Sequence, residues 1–476
     1  MADVVLVNCP MAITYRGGPP PAGGGDELSH TPLGLLYLAS SLEKAGLGVV
    51  ILDPTPQDLR IEDIIERIRA ERPLLVGFSA MTSGLRAAVR IASQIKKDCK
   101  DSPLLCIGGA HINSDPEFVS RFPIFDFAVI GEAELTLIDL TRQIKGGARP
   151  KGIIQARPID DLDSLPPPAR HLIDEKRYYR EEARRDVLPA ATMIASRGCP
   201  FDCVFCSMPV FRKGFRVRSP GNIVDEMEAI AAAHGNRFNF VDDTLTLNRV
   251  AILGICDEII KRGSRFRWWG MTRATSLDDE MAARMRQAGC TDIFIGVEAG
   301  NERIRNEVVK KNVSDEAICN AVRICRRHGI QTKISLIIGF PTETKREIND
   351  TVAFGRRCKA DLMGVRILVP FPGAALFDHA VKNNIVPADL ADRYARGELG
   401  EGFIGTWPLF VPEGLTLKDL RAAIKRAYIN FYLNPRWIIR RIADYAAFPE
   451  RFKDDMRLLG EWYYVLLFGK TSRSMS

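Results

Sequence analysis

The chain has no uninterrupted apolar stretch near the roughly 20 residues that a membrane-spanning helix needs. Its start, Met1 to Pro10, has no basic region followed by an apolar core. Export and membrane spanning are therefore not expected, and the expected location is the cytoplasm. Dense Lys/Arg runs are also missing, which argues against nucleic acid as a partner. No repeat recurs at a period of 20 to 50 residues, and the only low-complexity tract, Gly17 to Gly25, reads as a mobile loop.

What remains is ample for catalysis. A length of 476 residues allows two to four domains, and 46% hydrophobic with 26% charged residues is ordinary globular composition. The net charge of +7 is uneven: residues 1–150 carry 15 basic and 18 acidic side chains, leaving 51 against 41 beyond them. The eleven cysteines are an odd number without an export signal, so metal ligation or buried thiols are expected rather than a disulfide framework.

Periodicity divides the chain. Val4–Asn8, Val49–Leu52, Leu74–Ser79, Leu104–Gly108 and Phe127–Ile130 are short β-branched runs separated by amphipathic segments. That alternation predicts an α/β, doubly wound (Rossmann-like) domain over residues 1–150, with ligands at the carboxyl ends of its strands. Ser79, Thr82, Gly108, Gly109, His111, Gly131 and Glu132 fall at those ends, where glycines let a large flat ligand approach the backbone. Ser79 and Thr82 read equally well as helix caps. Residues 151–188 hold a proline-rich stretch, Asp160 to Pro168, and a charged stretch, Glu175 to Arg185, and read as a linker that keeps two bodies apart.

A second alternating series follows: Thr192–Ser196, Phe238–Val241, Phe266–Gly270, Asp292–Gly296, Lys333–Ile338 and Met363–Leu368. Six strand-helix units predict a parallel barrel, partial or full, over residues 189–395. Residues 396–476 read as a helical cap or lid. Residues 418–476 carry 12 basic and 6 acidic side chains, which suits a peripheral membrane contact or, more simply, a solvated face. Tyr428, Phe431, Tyr432 and Trp437 with Arg436, Arg440 and Arg441 suit a lipid or large-ring substrate, or plain helix packing.

The chemistry is concentrated in Arg-Gly-Cys-Pro-Phe-Asp-Cys-Val-Phe-Cys, where Cys199, Cys203 and Cys206 have a C-x3-C-x2-C spacing just after the first strand of the second series. Three thiolates on one loop ligate a soft metal centre and leave a coordination position open, as a catalytic site requires. A zinc site completed by Cys256 or His234 is the competing reading. The other cysteines in helical segments, Cys290, Cys319, Cys325 and Cys358 among them, read as buried apolar residues.

This loop resembles that of the radical S-adenosylmethionine (SAM) superfamily. The resemblance implies that the three cysteines hold a 4Fe-4S cluster whose fourth iron chelates SAM, and that an electron donor of flavodoxin or ferredoxin type reduces it to give a 5′-deoxyadenosyl radical. It also implies that Phe205 lies beside the adenine, that Asp242 or Asp243 holds the SAM amine or ribose, and that Arg273, Glu298 and Ser335 supply further polar contacts. Asp243 as a helix cap and Glu298 paired with Arg273 are the plainer readings. Pro32-Leu33-Gly34-Leu35-Leu36-Tyr37, Gly77 to Thr82, Gly108-Gly109-Ala110-His111 and Gly131-Glu132 resemble the cobalamin-binding branch of that superfamily. Cobalamin is then an implied cofactor, although no D-x-H-x-x-G motif offers a histidine below the cobalt. Methylation of an unactivated carbon is the leading expectation. The alternatives are a non-methylating radical enzyme similar to the magnesium-protoporphyrin monomethyl ester cyclase, and a non-catalytic cobalamin-binding protein. A small-molecule, lipid or tetrapyrrole-like substrate is expected, and its identity is not legible.

Overall fold

The computed structural model describes residues 1–11, 13, 31–99, 102–178, 190–207, 214–399, 410–449 and 451–452. The glycine tract at 17–25, the end of the charged stretch and the tail beyond 452 lie outside the described residues.

Six strands form the first sheet: β1 (Val4–Asn8), β2 (Val49–Leu52), β3 (Leu75–Ser79), β4 (Leu104–Gly108), β5 (Phe127–Ile130) and β6 (Gly152–Gln155). They are ordered β2-β1-β3-β4-β5-β6 and all parallel. The strands are apolar almost throughout because helices cover both faces. Helices α1 (Leu33–Lys44) and α4 (Glu134–Lys145) pack on one side through Leu36, Leu42 and Leu137. Helices α2 (Ile61–Glu71) and α3 (Leu85–Asp98) pack on the other through Ile64, Ile68 and Ile91. The chain reverses direction across the sheet between β1 and β3, the place where such sheets open a crevice at their strand ends.

The second sheet is ordered β14-β13-β12-β11-β10-β7, again parallel, and its two end strands do not pair with each other. It comprises β7 (Ala191–Met193), β10 (Arg237–Phe240), β11 (Arg267–Thr272), β12 (Cys290–Glu298), β13 (Gln331–Ile338) and β14 (Leu362–Ile367). Helices α5 (Pro220–His234), α6 (Arg249–Arg262), α7 (Asp279–Gln287), α8 (Asp315–Arg327) and α9 (Lys345–Cys358) cross over between them. The result is the expected partial barrel of six parallel strands. A two-residue ribbon, β8 (Ser196–Arg197) against β9 (Arg216–Val217), frames the cysteine loop.

Two expectations are corrected here. The segment read as a spacer begins inside the first sheet, since β6 pairs with β5; the exposed run Gly152–Gln155 lacks the apolar density that flagged the other strands. Nor does the segment hold two bodies apart. Ala169 N donates to Leu36 O at 3.1 Å, and Tyr178 Oη donates to buried Asp53 at 2.8 Å. Arg170 reaches Glu226 in α5 at 3.1 Å, so the segment is packed between both sheets.

The C-terminal helices α10 (Leu417–Tyr432) and α11 (Pro435–Ala447) do not roof the strand C-termini. Helix α10 covers the free edge of β14: Tyr432 Oη and Tyr428 Oη accept from the Met363 and Val365 amides at 3.0 and 3.2 Å. Trp437 Nε1 donates to Asp361 O at 2.9 Å, beside the start of β14. These aromatics protect an edge strand, which otherwise presents unpaired backbone groups, and they are not arranged as a substrate pocket.

Candidate active site

Gly198, with φ +99°, turns the chain out of β8 into the cysteine loop. The loop is stitched to the barrel at its middle: Val204 N donates to Val309 O at 3.2 Å, and Leu376 N donates to Val204 O at 3.0 Å. Cys206 N donates to Cys203 O at 3.0 Å, a tight turn that the two-residue spacing makes natural. Cys199, Cys203 and Cys206 form no disulfide and are half-buried. Burial pushes the Cys199 thiol up, and the nearby Asp243 and Cys203 push it further. Among the described residues no three Cys, His, Asp or Glu side chains meet closely enough to hold a single ion. An iron cube takes each thiolate on a different iron, so its donors need not meet at single-ion distance, and three thiols on one stitched loop are the donor set it requires.

The loop abuts a cavity of about 370 Å3 that opens between the two sheets. Leu6, Gly77, Cys106 and Val129 from the first sheet and Leu33 and Leu137 from α1 and α4 make its deep, apolar end. Ser79, Gly108, Gly109, Gly131 and Glu132 lie at its middle, and Ser196, Gly198, Ser207, Asp242 and Asp243 at the barrel side. Gly109 is obligatory: at φ +96° a Cβ would stand 2.7 Å from Ala80 N. Tyr37 also lines this space, and its hydroxyl is buried without a hydrogen-bond partner among the described residues. An apolar slot whose strand ends are glycines, one of them closed to any Cβ, is the kind of cradle that accepts a large, partly polar cofactor.

Several expected ligands have other occupations. Glu132 is held at both oxygens, by Arg197 at 2.9 Å and Arg216 at 2.5 Å. Burial would raise its carboxyl, but these two guanidinium groups outweigh it and hold it below the usual carboxylate range. Arg197 also reaches Glu134 at 2.7 Å and lies 5.0 Å over the Tyr37 ring. This clamp joins the end of β5 to the residue two before Cys199. Nothing in local sequence pointed to the pairing of Arg197 and Arg216 with Glu132 and Glu134, because the partners come from opposite domains.

Thr82 and His111 hydrogen-bond each other at 3.0 Å, and neither lines the cavity. His111 is buried with its ring edge-on to Phe118 at 5.6 Å, and burial lowers its pKa to about 4. Both are packing residues beneath the strand ends. Asn113, unflagged by sequence, instead lines the cavity and accepts from Gly131 N at 2.9 Å.

In the barrel, Asp242 lines the cavity, yet its carboxylate accepts from Ala195 N at 3.0 Å and from Ser196 Oγ, tying β10 to β8. Burial pushes it up to about 6 against those bonds. Asp243 faces Cys199 and is no helix cap, since Asn248 caps α6. Arg273 stacks on Phe201 at 3.9 Å, while Glu298 pairs with Lys311 at 2.7 Å, so these two do not pair with each other. Glu298 has φ +65° at a register shift in β12. Ser335 sits exposed between Gly296 and Gly364, two positions without side chains beside it. Phe205 meets Phe340 edge-on at 6.4 Å, which ties the loop to the turn after β13.

That turn hangs on Glu343, whose Oε2 accepts from Gly339 N at 2.6 Å and Phe340 N at 3.0 Å. Burial pushes this carboxyl up to about 7 in spite of the two amides. The folded chain therefore keeps a proton that the unfolded chain releases near a pKa of about 4.3. Glu343 makes stability fall as pH rises from about 4 to about 7, after which its effect is constant. Glu343→Gln keeps an acceptor for the amides and cannot ionise. Thermal melts should show the variant gaining on the parent from pH 5 to pH 8, and a constant gap would refute the assignment.

Comparisons with known proteins agree with this geometry. Residues 193–355 match the radical SAM superfamily and residues 25–141 match the B12 binding domain. A protein of Pyrococcus horikoshii named as an uncharacterized methyltransferase is 30% identical, covering 88% of this chain and 91% of its own. The anaerobic magnesium-protoporphyrin IX monomethyl ester cyclase of Rubrivivax gelatinosus is 27% identical over 87% of this chain and 76% of its own. The fold is shared with the radical SAM methyltransferase TsrM of Kitasatospora setae, solved with cobalamin and a 4Fe-4S cluster (TM-score 0.63, 21% identity, 80% of this chain and 75% of that one). It is also shared with the cobalamin-dependent radical enzyme OxsB, solved with aqua-cobalamin and SAM (TM-score 0.65, 19% identity, 99% and 74%). With the stitched cysteine loop facing a cavity built from the glycine-rich strand ends, the chain belongs to the radical SAM superfamily, as an enzyme of its B12-binding branch.

Proposed function

We propose that this chain transfers a methyl group to an unactivated carbon of a small-molecule, lipid or tetrapyrrole-like substrate. The observation that carries the reading is a cavity lined both by Gly108, Gly109 and Gly131 and by residues flanking the cysteine loop. Cys199, Cys203 and Cys206 would hold the cluster. Asp243, Arg273, Glu298 and Ser335 would take the polar groups of SAM, with Phe205 beside its adenine. The glycine strand ends and Ser79 would hold cobalamin, next to the apolar end lined by Gly77 and Leu137. When bound, the reduced cluster supplies the electron that cleaves SAM and the corrin carries the methyl group.

The chain's own share is positioning and exclusion of water. The clamp of Glu132 and Glu134 on Arg197 fixes the distance between the two cofactor sites. The apolar walls keep solvent from reactive species. A donor of flavodoxin or ferredoxin type would deliver the electron.

Protein reconstituted anaerobically and given methyl-labelled SAM should yield both S-adenosylhomocysteine and 5′-deoxyadenosine, with label entering the substrate. Similarity to the ester cyclase supports a second reading, oxidative ring closure without methyl transfer. Product that forms without label would replace the first reading with the second.

A further inference from the structure

Helix α11 is inside-out. Two of its arginines point into the protein: Arg440 donates to Ala360 O at 2.7 Å, and Arg441 is 2% exposed. They cap the N-terminal ends of β13 and β14, opposite the cysteine loop. The apolar side chains point outward, with Ile439 69%, Ile442 61% and Ile438 40% exposed, and Leu433 before the helix is 60% exposed. A solvated surface helix has the reverse arrangement. Apolar clusters of this kind mark docking surfaces rather than solvated ones.

The charge on the two helices says what this face meets: Arg436, one turn before Ile439 on α11, is exposed. On α10, Lys418, Arg421, Lys425 and Arg426 are exposed. No Asp or Glu between residues 417 and 446 falls in the exposed class. Two copies pairing through this face would bring two cation rows together. We propose that α10 and α11 dock on an anionic lipid surface, with the isoleucines entering the interface and the cations meeting headgroups. This docking is independent of which reaction the cleft performs.

The test is sedimentation of the full-length holoprotein with vesicles of phosphatidylcholine containing ~30% phosphatidylglycerol, against phosphatidylcholine alone. Binding should require the anionic lipid and weaken with salt. Ile439→Asp/Ile442→Asp should lower the partition coefficient at least about tenfold, and Arg421→Glu/Lys425→Glu should do the same from a different helix. Thermal melts of both should match the parent, since all four positions are exposed. Absence of sedimentation with anionic vesicles would overturn the proposal, as would binding that both variants retain. A dimer in solution that the isoleucine variant splits would assign the face to a second copy and overturn it equally.

Discussion

Replacing Cys203 with Ala is expected to leave the chain folded but unable to hold its cluster. Iron in anaerobic preparations should fall to background, and reductive cleavage of SAM should drop by at least about 10³-fold, since the electron source is lost and not merely displaced. The fold should tolerate the change because Cys203 is half-buried and free, so its loss opens no large core cavity. Far-ultraviolet circular dichroism and iron and sulfide assays on one preparation separate the two effects. A variant that retains iron and activity would return the zinc or buried-thiol readings of the loop.

The second large effect concerns the clamp. Glu132→Ala removes the partner shared by Arg197 and Arg216, whose side chains are 11% and 17% exposed. Arg197 keeps Glu134, but Arg216 loses its carboxylate partner, and leaving a buried guanidinium without one costs about 3 kcal/mol, which chemical denaturation will read directly. The pH sign follows from the lowered carboxyl: the contribution is present above the ordinary pKa of about 4.3 and is lost as pH falls through the lower folded value. The parent and the variant should therefore converge in stability on acidification. Activity should suffer beyond stability, because Arg197 precedes Gly198 and Cys199 and sets where the loop meets the cavity. At a temperature where the variant remains folded, SAM cleavage uncoupled from product formation is the expected signature. Equal stability of the two proteins at pH 7 would show that the clamp does not bind the domains together.

The strands were legible in the sequence because burial on both faces demands unbroken apolar runs. All five expected strands of the first sheet and all six of the barrel are present, with ends moved by a residue or a few. The sixth strand escaped because Gly152–Gln155 is an exposed edge, where pairing with β5 substitutes for apolar composition. Asp242 illustrates the limit for site residues: its position at a strand end was readable, but its engagement with Ala195 and Ser196 depends on a neighbouring strand. The same holds for Glu298, whose partner Lys311 lies 13 residues on, past a bulge in β12.

By itself, the sequence determined the order of two parallel α/β bodies, the cysteine spacing and the glycines at the strand ends. Each is a local requirement, of hydrophobic period, of ligand geometry on one loop, or of backbone room. The tertiary structure alone decided that Glu132 clamps the domains, that His111 packs away from the cavity, that Asn113 lines it, and that α11 shows its apolar side to the outside. Those choices depend on which distant chain segment supplies the partner for a buried charge or polar atom, and no window of neighbouring residues contains that information.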